Sequence, residues 1–350
     1  MHRFDYSFLD NGLLPAVLLN VTADIYSLRT LSWSRKDQFQ EIFTELAEIA
    51  KVQSVKSSNA IEGIVTTDER IHEIVKGNST PLNHSEQEIA GYRDALAEVY
   101  TRYAVMDFKQ GDILRLHGIM MNLVGYTSAG KYKEFDNDII EEDKYGRRSV
   151  RFHPTSAADT PIEMEQLVLA YQEARDNPNI NQLLLIPCVI LDFLCIHPFR
   201  DGNGRMSRLI SLLLLYRNGF DAGKYISFEE EINLRKGNYY ESLKQSSIGW
   251  HENQSDYSAF IMEFLTTLYA CYKELDKRFA VVGSKKVTKQ NRVEATVLNS
   301  LTPVSKADII KILPDVSATT IEAVLGKMVR LGRIRKIGSG RSIRYVRSDR

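Results

Sequence analysis

The segment HPFRDGNGRMSR, from His197 to Arg208, gathers an imidazole, a carboxylate, two glycines around an asparagine and three guanidinium groups. These are parts of a polyphosphate site. Gly202 and Gly204 let backbone N–H groups turn inward with no Cβ in the way. A helix starting near Asn203 would add the partial positive charge of its N-terminus. Arg205 and Arg208, three apart, project from neighbouring positions on that helix, where two planar forks suit phosphate oxygens. Asp201 can be an oxygen ligand for Mg²⁺, which takes one or two carboxylates together with phosphate oxygens. His197, at the loop edge, can take a proton from an incoming hydroxyl near neutral pH. Singly these are a helix-end histidine, a glycine turn and a solvated arginine face. Their order within one short stretch is what structural roles alone do not account for.

Two helices must hold that loop. The apolar run 183–196 ends where Pro198 disfavours helix at the residue before it. Asp192 interrupts the run, which falls short of the roughly 20 residues a membrane span needs, so it reads as a buried core helix. The second helix covers Asn203–Arg217, with Asn218-Gly219 as a stop. Helical spacing recurs at 37–55, 85–103, 110–121, 162–174, 182–196 and 257–279. Between 130 and 154 the rhythm breaks: Tyr132, Phe135, Ile139, Ile140, Val150 and Phe152 flank the polar turn EEDKYG, as in a β-hairpin or an irregular loop.

The chain has 350 residues, 43% of them hydrophobic and 26% charged, with 45 basic and 45 acidic side chains. That length allows two or three domains of an ordinary globular protein. Zero net charge excludes a blanket binder of nucleic acid or membrane. Cys188, Cys195 and Cys271 form no CxxC pair, which argues against disulfides or zinc and fits a reducing cytoplasm. The N-terminal stretch does not read as a signal peptide. Near 282–289 a basic Gly/Ser-containing stretch suits a linker. Short helices at 291–301, 306–313 and 318–331 follow, then two strand-like runs around Gly338-Ser339-Gly340, the pattern of a winged helix-turn-helix. From Lys285 to Arg350 there are fifteen Lys/Arg against five Asp/Glu. Arg333, Arg335, Lys336, Arg341 and Arg344 cluster on the expected wing, the footprint of DNA binding. The other reading is a domain that packs on the enzyme or grips an acidic partner, since SATTIEAVLGKMVRLG offers few side chains for base edges.

HPFRDGNGRMSR matches, position for position, the HxFx[D/E]GNGRxxR signature of the Fic (filamentation induced by cAMP) family. EIAGYRDAL from Glu88 and the stretch Pro161 to Met164 also resemble it, and the likeness covers roughly residues 85–250. The resemblance implies transfer of AMP from ATP, with Mg²⁺, to a Ser, Thr or Tyr hydroxyl of a target protein. It makes His197 the general base and Asp201 the holder of Mg²⁺. Gly202, Asn203 and Gly204 would bind the α- and β-phosphates, Arg205 would contact the phosphates and Arg208 the γ-phosphate, with Phe199 anchoring the loop. The hairpin around 131–152 resembles the family's flap, which holds a target segment by strand addition. Tyr239 and Tyr240 resemble an aromatic pair near adenine and ribose; packing within a helix is the other reading. Far upstream, Ser58-x-x-x-Glu62-Gly63 matches the inhibitory motif [S/T]xxxE[G/N] and resembles the intramolecularly inhibited class. A carboxylate paired with Arg208 removes the partner of the γ-phosphate. The plainer reading is that Glu62 ends a helix before Gly63.

The expected fold is mostly α: a Fic-type helical core with a β-hairpin flap, plus a C-terminal winged helix-turn-helix domain. The expected domains are 1–84, a helical region with the inhibitory motif; 85–281, catalytic; and 282–350, the winged helix. Expected partners are the target protein, DNA or an acidic protein at the C-terminal domain, and a second copy of the chain, without a membrane. Two alternatives are removal of AMP from modified protein and a DNA-binding regulator whose Fic domain senses nucleotide; an intact His197 argues against the latter. Residues 285–350 expressed alone are expected to bind duplex DNA with an affinity that falls steeply with salt. No binding at low salt, read by fluorescence anisotropy, would leave the protein-docking reading.

Overall fold

The computed structural model describes residues 2–12, 14–77, 79–142, 146–283, 289–298, 300, 303–340 and 343–348. Two compact units emerge, Met1–Arg29 with Ala47–Cys271, and Thr30–Leu46 with Tyr272–Arg350. The chain opens with helices α1 (Phe8–Asn11), α2 (Ala16–Lys36), α3 (Gln40–Ile61), α4 (Asp68–Val75), α5 (His84–Arg102) and α6 (Gln110–Met121). Strands β1 (Ile139–Glu142) and β2 (Arg148–Phe152) follow. Then come α7 (Thr160–Asp176), α8 (Gln182–Ile196), α9 (Asn203–Arg217), α10 (Phe228–Leu234), α11 (Lys236–Ser246) and α12 (Ser258–Gly283). The protein is mostly helical, as the sequence leads one to expect.

In the first unit α8 and α9 form the centre, with α7 against α8 and both α5 and α6 against α9. Apart from Gln182 and Leu194, every side chain of α8 is buried, which is why its sequence is apolar all round rather than striped. Its one carboxylate, Asp192, accepts hydrogen bonds from Tyr6 Oη (2.7 Å), Trp250 Nε1 (2.8 Å) and Tyr257 Oη (2.8 Å). Burial nevertheless pushes its pKa up to about 6. Among the described residues no helix is long and apolar enough to cross a membrane.

β1 and β2 pair antiparallel, so the broken rhythm between 130 and 154 includes a small hairpin. Residues 143–145 of its EEDKYG turn lie outside the described residues. Ile139 faces Phe152 and Ile140 faces Val150, which leaves Arg151 as the extra residue of a β-bulge. Several helices differ from the sequence expectation, and the short α1, α4 and α10 have no counterpart in it. The helix expected at 37–55 runs on to Ile61, because its stop is Gly63. The long α2 escaped notice because Val17, Leu19, Leu31 and Trp33 lie exposed around it, which blurs any apolar stripe.

In the second unit Arg35 pairs with Asp276 (2.8 Å), and the Phe279 ring lies against Phe39 and Phe43. Helices α13 (Lys289–Leu298), α14 (Lys306–Ile312) and α15 (Ala318–Arg330) precede an antiparallel ribbon, β3 (Ile334–Ile337) with β4 (Arg344–Arg347). They enclose Val293, Val297, Ile309, Ile321, Leu325 and Met328. Four acids are matched: Glu294 with Arg333, Asp308 with Arg344, Asp315 with Arg292 and Glu322 with Lys306. Excess positive charge therefore falls on residues such as Lys327, Arg330, Arg335 and Lys336. Arg341 and the linker residues 284–288 lie outside the described residues.

A close passage between α5 and α6 depends on Gly91, in the stretch EIAGYRDAL. A Cβ there would stand 1.9 Å from the Met120 carbonyl oxygen. Gly91→Ala should therefore force the helices apart and destabilise the chain by about 1–3 kcal/mol, read by chemical denaturation; an unchanged midpoint would show that α6 yields freely.

Candidate active site

The motif loop opens on a left-handed residue that is not glycine. α8 stops at Ile196, and His197 takes φ 53° and ψ 58° while its N–H still reaches the Phe193 carbonyl at 3.0 Å. A non-glycine residue in this region costs about 1–2 kcal/mol, so its surroundings must hold it. Lys133 does so twice: its backbone N–H bonds the Pro198 carbonyl (2.9 Å) and its Nζ the Ile196 carbonyl (3.2 Å). Asn203 closes the loop, accepting from the Phe199 N–H (2.9 Å) and donating to the Phe199 carbonyl (2.7 Å). The Phe199 ring stacks on His117, centroids 3.7 Å apart. Gly130 N–H donates to His117 Nδ1 (3.0 Å), so Nε2 carries the proton and donates to the Asp201 carbonyl (3.2 Å). Burial drives the His117 pKa down to about 4, which keeps this neutral tautomer.

α9 then starts beyond Gly202, left-handed at φ 81°, and its first N–H groups have no partner within the helix. They face a cavity of about 350 Å³ lined by Glu62, Glu88, His197, Asp201, Gly204 and Arg205, among others. Arg205 is buried, with Nη2 2.6 Å from Glu88 Oε2 and 3.6 Å from Asp201 Oδ2; its Nε and Nη1 have no hydrogen-bond partner. The side-chain amide of Asn203 is spent on the loop, so only its backbone N–H remains for a phosphate. Asp201 Oδ1 accepts from the Gly202 N–H (2.6 Å), and the carboxylate is half exposed. Among the described residues no three His, Cys, Asp or Glu gather as a metal cage. One open carboxylate beside an anion cradle fits Mg²⁺ that brings most of its oxygen ligands on a nucleotide.

The far end of α3 reaches into the same place. Ile64 N–H bonds the Asn59 carbonyl and Gly63 N–H the Ala60 carbonyl, both at 3.0 Å, with Gly63 at φ 81°. This is a Schellman cap, in which glycine takes the left-handed position. It makes Glu62 the last residue before the turn and aims its carboxylate at Arg208, Oε1 to Nη2 2.8 Å. Arg208, only 1% exposed, also donates from Nε to Ser58 Oγ and from Nη2 to the Ser58 carbonyl, each at 2.8 Å. Lys236 Nζ donates to the Ile61 carbonyl (2.6 Å) and so caps α3 from α11. A Cβ on Gly204 would stand 2.2 Å from Glu62 Oε1; glycine is required there for this carboxylate position.

A larger cavity of about 820 Å³ opens beside these groups. Its lining joins Glu62, His197, Gly204 and Arg208 to Tyr239 and Tyr240 of α11 and to Ile140, Arg151 and Phe152 of the hairpin. The Tyr239 and Tyr240 rings meet edge to face at 5.7 Å; Tyr239 also packs on Phe260, while Tyr240 is more exposed. Burial lowers the His197 pKa to about 4, and Lys133 and Arg151 push the same way against the Leu194 carbonyl and Glu62. The imidazole is therefore neutral at pH 7.

The residues singled out in the sequence thus converge: His197, Asp201 to Arg205, Arg208, Tyr239, Tyr240 and Glu62 line the two cavities, while Ser58 and Gly63 stand behind Glu62. Four contacts were not legible there. Glu88 opens the stretch EIAGYRDAL, where nothing marks it as the partner of Arg205. His117, Lys133 and Lys236 each hold the loop or the α3 end from distant positions, and no local spacing links them to the motif.

His117 gives a test of this support. Its pKa is about 4 when folded, against about 6.5 unfolded. Between those values the unfolded chain binds a proton that the folded chain refuses, so the contribution present above pH 6.5 is lost as pH falls towards 4. His117→Gln, which can keep both hydrogen bonds, should lose roughly 1–3 kcal/mol less stability than the parent between pH 7 and pH 4.5. Equal losses, measured by urea titration, would mean that His117 does not resist protonation.

The Fic/DOC family model matches residues 107–215. A Fido domain-containing protein of Dictyostelium discoideum is 28% identical over 133 residues, 38% of this chain and 86% of its own length. A protein adenylyltransferase Fic of Nematostella vectensis is 25% identical over 271 residues, 71% of this chain; the chain spans 58% of that relative's length. In fold the chain is similar to a Fic family protein of Desulfovibrio desulfuricans, with a TM-score of 0.63 at 21% identity, covering 97% of this chain and 98% of that one. Residues 107–215 carry a Fic/DOC family domain.

Proposed function

We propose that the chain transfers AMP from ATP to a hydroxyl of a target protein, and that Glu62 restrains the reaction by occupying Arg208. The observation that carries the reading is the ion pair of Arg208 with Glu62 at 2.8 Å across the mouth of a helix N-terminus. A buried guanidinium stays charged and needs an anion, and a triphosphate end is the anion this cradle suits. The relative named as a protein adenylyltransferase supports the reaction class.

On this reading neutral His197 takes the hydroxyl proton as the oxygen attacks the α-phosphorus, and pyrophosphate leaves. The first N–H groups of α9, Arg205 and Arg208 hold the phosphates; Tyr239 and Tyr240 border the nucleoside; the hairpin edge takes the target segment. Asp201 would hold Mg²⁺, which when bound supplies charge neutralisation to the phosphates. With Glu62 in place the γ-phosphate loses Arg208 and the α-phosphate is misaligned. Removal of AMP from modified protein is the second reading, favoured by a Glu62 carboxylate that shares both cavities with His197.

Close charge pairs couple by about 1.5–7 kcal/mol, so Glu62→Gly should raise AMP incorporation at least about tenfold over the parent. Glu62→Gly with Arg208→Ala should lose that gain, and Glu62→Gly with His197→Ala should lose transfer but keep nucleotide binding. The readout is mass-spectrometric detection of AMP on the chain and on lysate proteins with ATP and Mg²⁺. A Glu62→Gly chain no more active than the parent overturns the restraint. Release of AMP from pre-modified protein by the parent, without transfer by any variant, favours the second reading.

A further inference from the structure

The cavity beside His197 contains four cationic side chains, Arg151, Arg208, Lys236 and Lys244. Three are engaged. Arg208 is held by Glu62 and Ser58, Lys236 by the Ile61 carbonyl, and Lys244 by the two oxygens of Glu141 at 2.9 and 3.2 Å. Arg151 differs: among the described residues it has no hydrogen-bond or ion-pair partner, and its Nη1 is buried. A guanidinium cannot shed its proton, and burying unmatched charge costs free energy until an anion arrives.

The backbone explains how it comes to be there. Arg151 is the extra residue of the β1–β2 bulge, between Val150, which is exposed, and Phe152, which packs on Trp250 and His251. Bulges beside sites redirect a side chain that regular pleating would send elsewhere. Its positive charge is felt at His197, where it helps to keep the imidazole neutral, and at Cys195 and Tyr240. The unpaired cation and His197 therefore line the same cavity, together with Cys195 and Tyr240.

We propose that Arg151 binds the α-phosphoryl group of the nucleotide from the hairpin side, while the N-terminus of α9 holds the phosphate chain from the other. The assignment rests on the AMP-transfer reading, which brings one anion beside His197. Adenosine is uncharged, and the outer phosphates have Arg205, Arg208 and the helix end. In the reaction the bond from the acceptor oxygen to the α-phosphorus forms as the bond to the bridging oxygen of pyrophosphate breaks. Pyrophosphate leaves with that electron pair, and the acceptor proton goes to His197. A fixed guanidinium at the phosphoryl oxygens stabilises this charge without reorganisation. The competing occupant is a carboxylate of the target segment laid along the hairpin.

AMP and adenosine, which differ only by the α-phosphate, separate these. Their affinities are measured by calorimetry on the full-length Glu62→Gly chain, alone and with Arg151→Gln or Arg151→Lys. Charged hydrogen bonds contribute about 1.5–3 kcal/mol, so Arg151→Gln should weaken AMP about 10- to 100-fold and leave adenosine unchanged. Arg151→Lys should fall between. Adenosine binding reports an intact pocket in every variant. Equal AMP-to-adenosine ratios with and without Arg151, or no preference for AMP in the Glu62→Gly chain, overturns the proposal. Pyrophosphate release from ATP is then compared with water and with protein as acceptor. A loss with both acceptors is expected in Arg151→Gln; a loss with protein alone assigns Arg151 to the target and also overturns it. If AMP preference depends on Arg151 but no variant transfers AMP, the phosphate site stands and the AMP-transfer reading fails.

Discussion

One buried charge organises this molecule. Arg208 projects from the second turn of α9, is almost wholly removed from water and cannot be neutralised, so some anion or set of dipoles must always face it. In the protein alone that requirement is met from α3, by Ser58 through its hydroxyl and carbonyl and by Glu62 through its carboxylate. Buried ion pairs contribute little net stability compared with apolar packing but are costly to break on one side only. Arg208 therefore fixes where α3 must end, and α3 in turn closes one wall of both cavities.

The other walls meet the same requirement in different ways. Arg205 uses Glu88, Lys244 uses Glu141, and Lys133 uses the Ile196 carbonyl at the end of α8 and Asn137 Oδ1. Carboxylates and carbonyls are thus distributed so that nearly every cation near the loop has a temporary partner. Arg151, displaced by its bulge, breaks this pattern. On the proposed reading a polyphosphate displaces these internal anions, and the site stays folded with or without it because each internal partner sits on a separate element and can be released singly.

Much of this was readable in the sequence because it is local. α6, α8 and α9 were placed to the residue, since a proline, a glycine pair or the loss of apolar spacing marks each end. The motif residues announced themselves through their order within one loop. What stayed hidden was of three kinds. α2 carries apolar residues on several sides, so periodicity could not reveal it. Partnerships across long separations, Glu88 with Arg205 or Lys236 with the Ile61 carbonyl, leave no trace in local spacing because tertiary packing alone makes them. The Arg151 bulge is hidden for a third reason: one residue more or less in a short strand pair leaves the alternation almost unchanged.

The Schellman cap at Gly63 has a kinetic consequence on the proposed reading. Glu62 is held at a helix terminus whose closing hydrogen bonds span only Asn59 to Ile64, and helix ends open and reclose on submicrosecond to microsecond timescales. Even with Lys236 as an added tether, such fraying is far faster than enzymatic turnover, which is commonly about 10 s⁻¹. The carboxylate and the nucleotide then exchange many times per catalytic event. Restraint by Glu62 behaves as a rapidly equilibrating competitor whose effect is set by the two affinities, and progress curves begin without a lag.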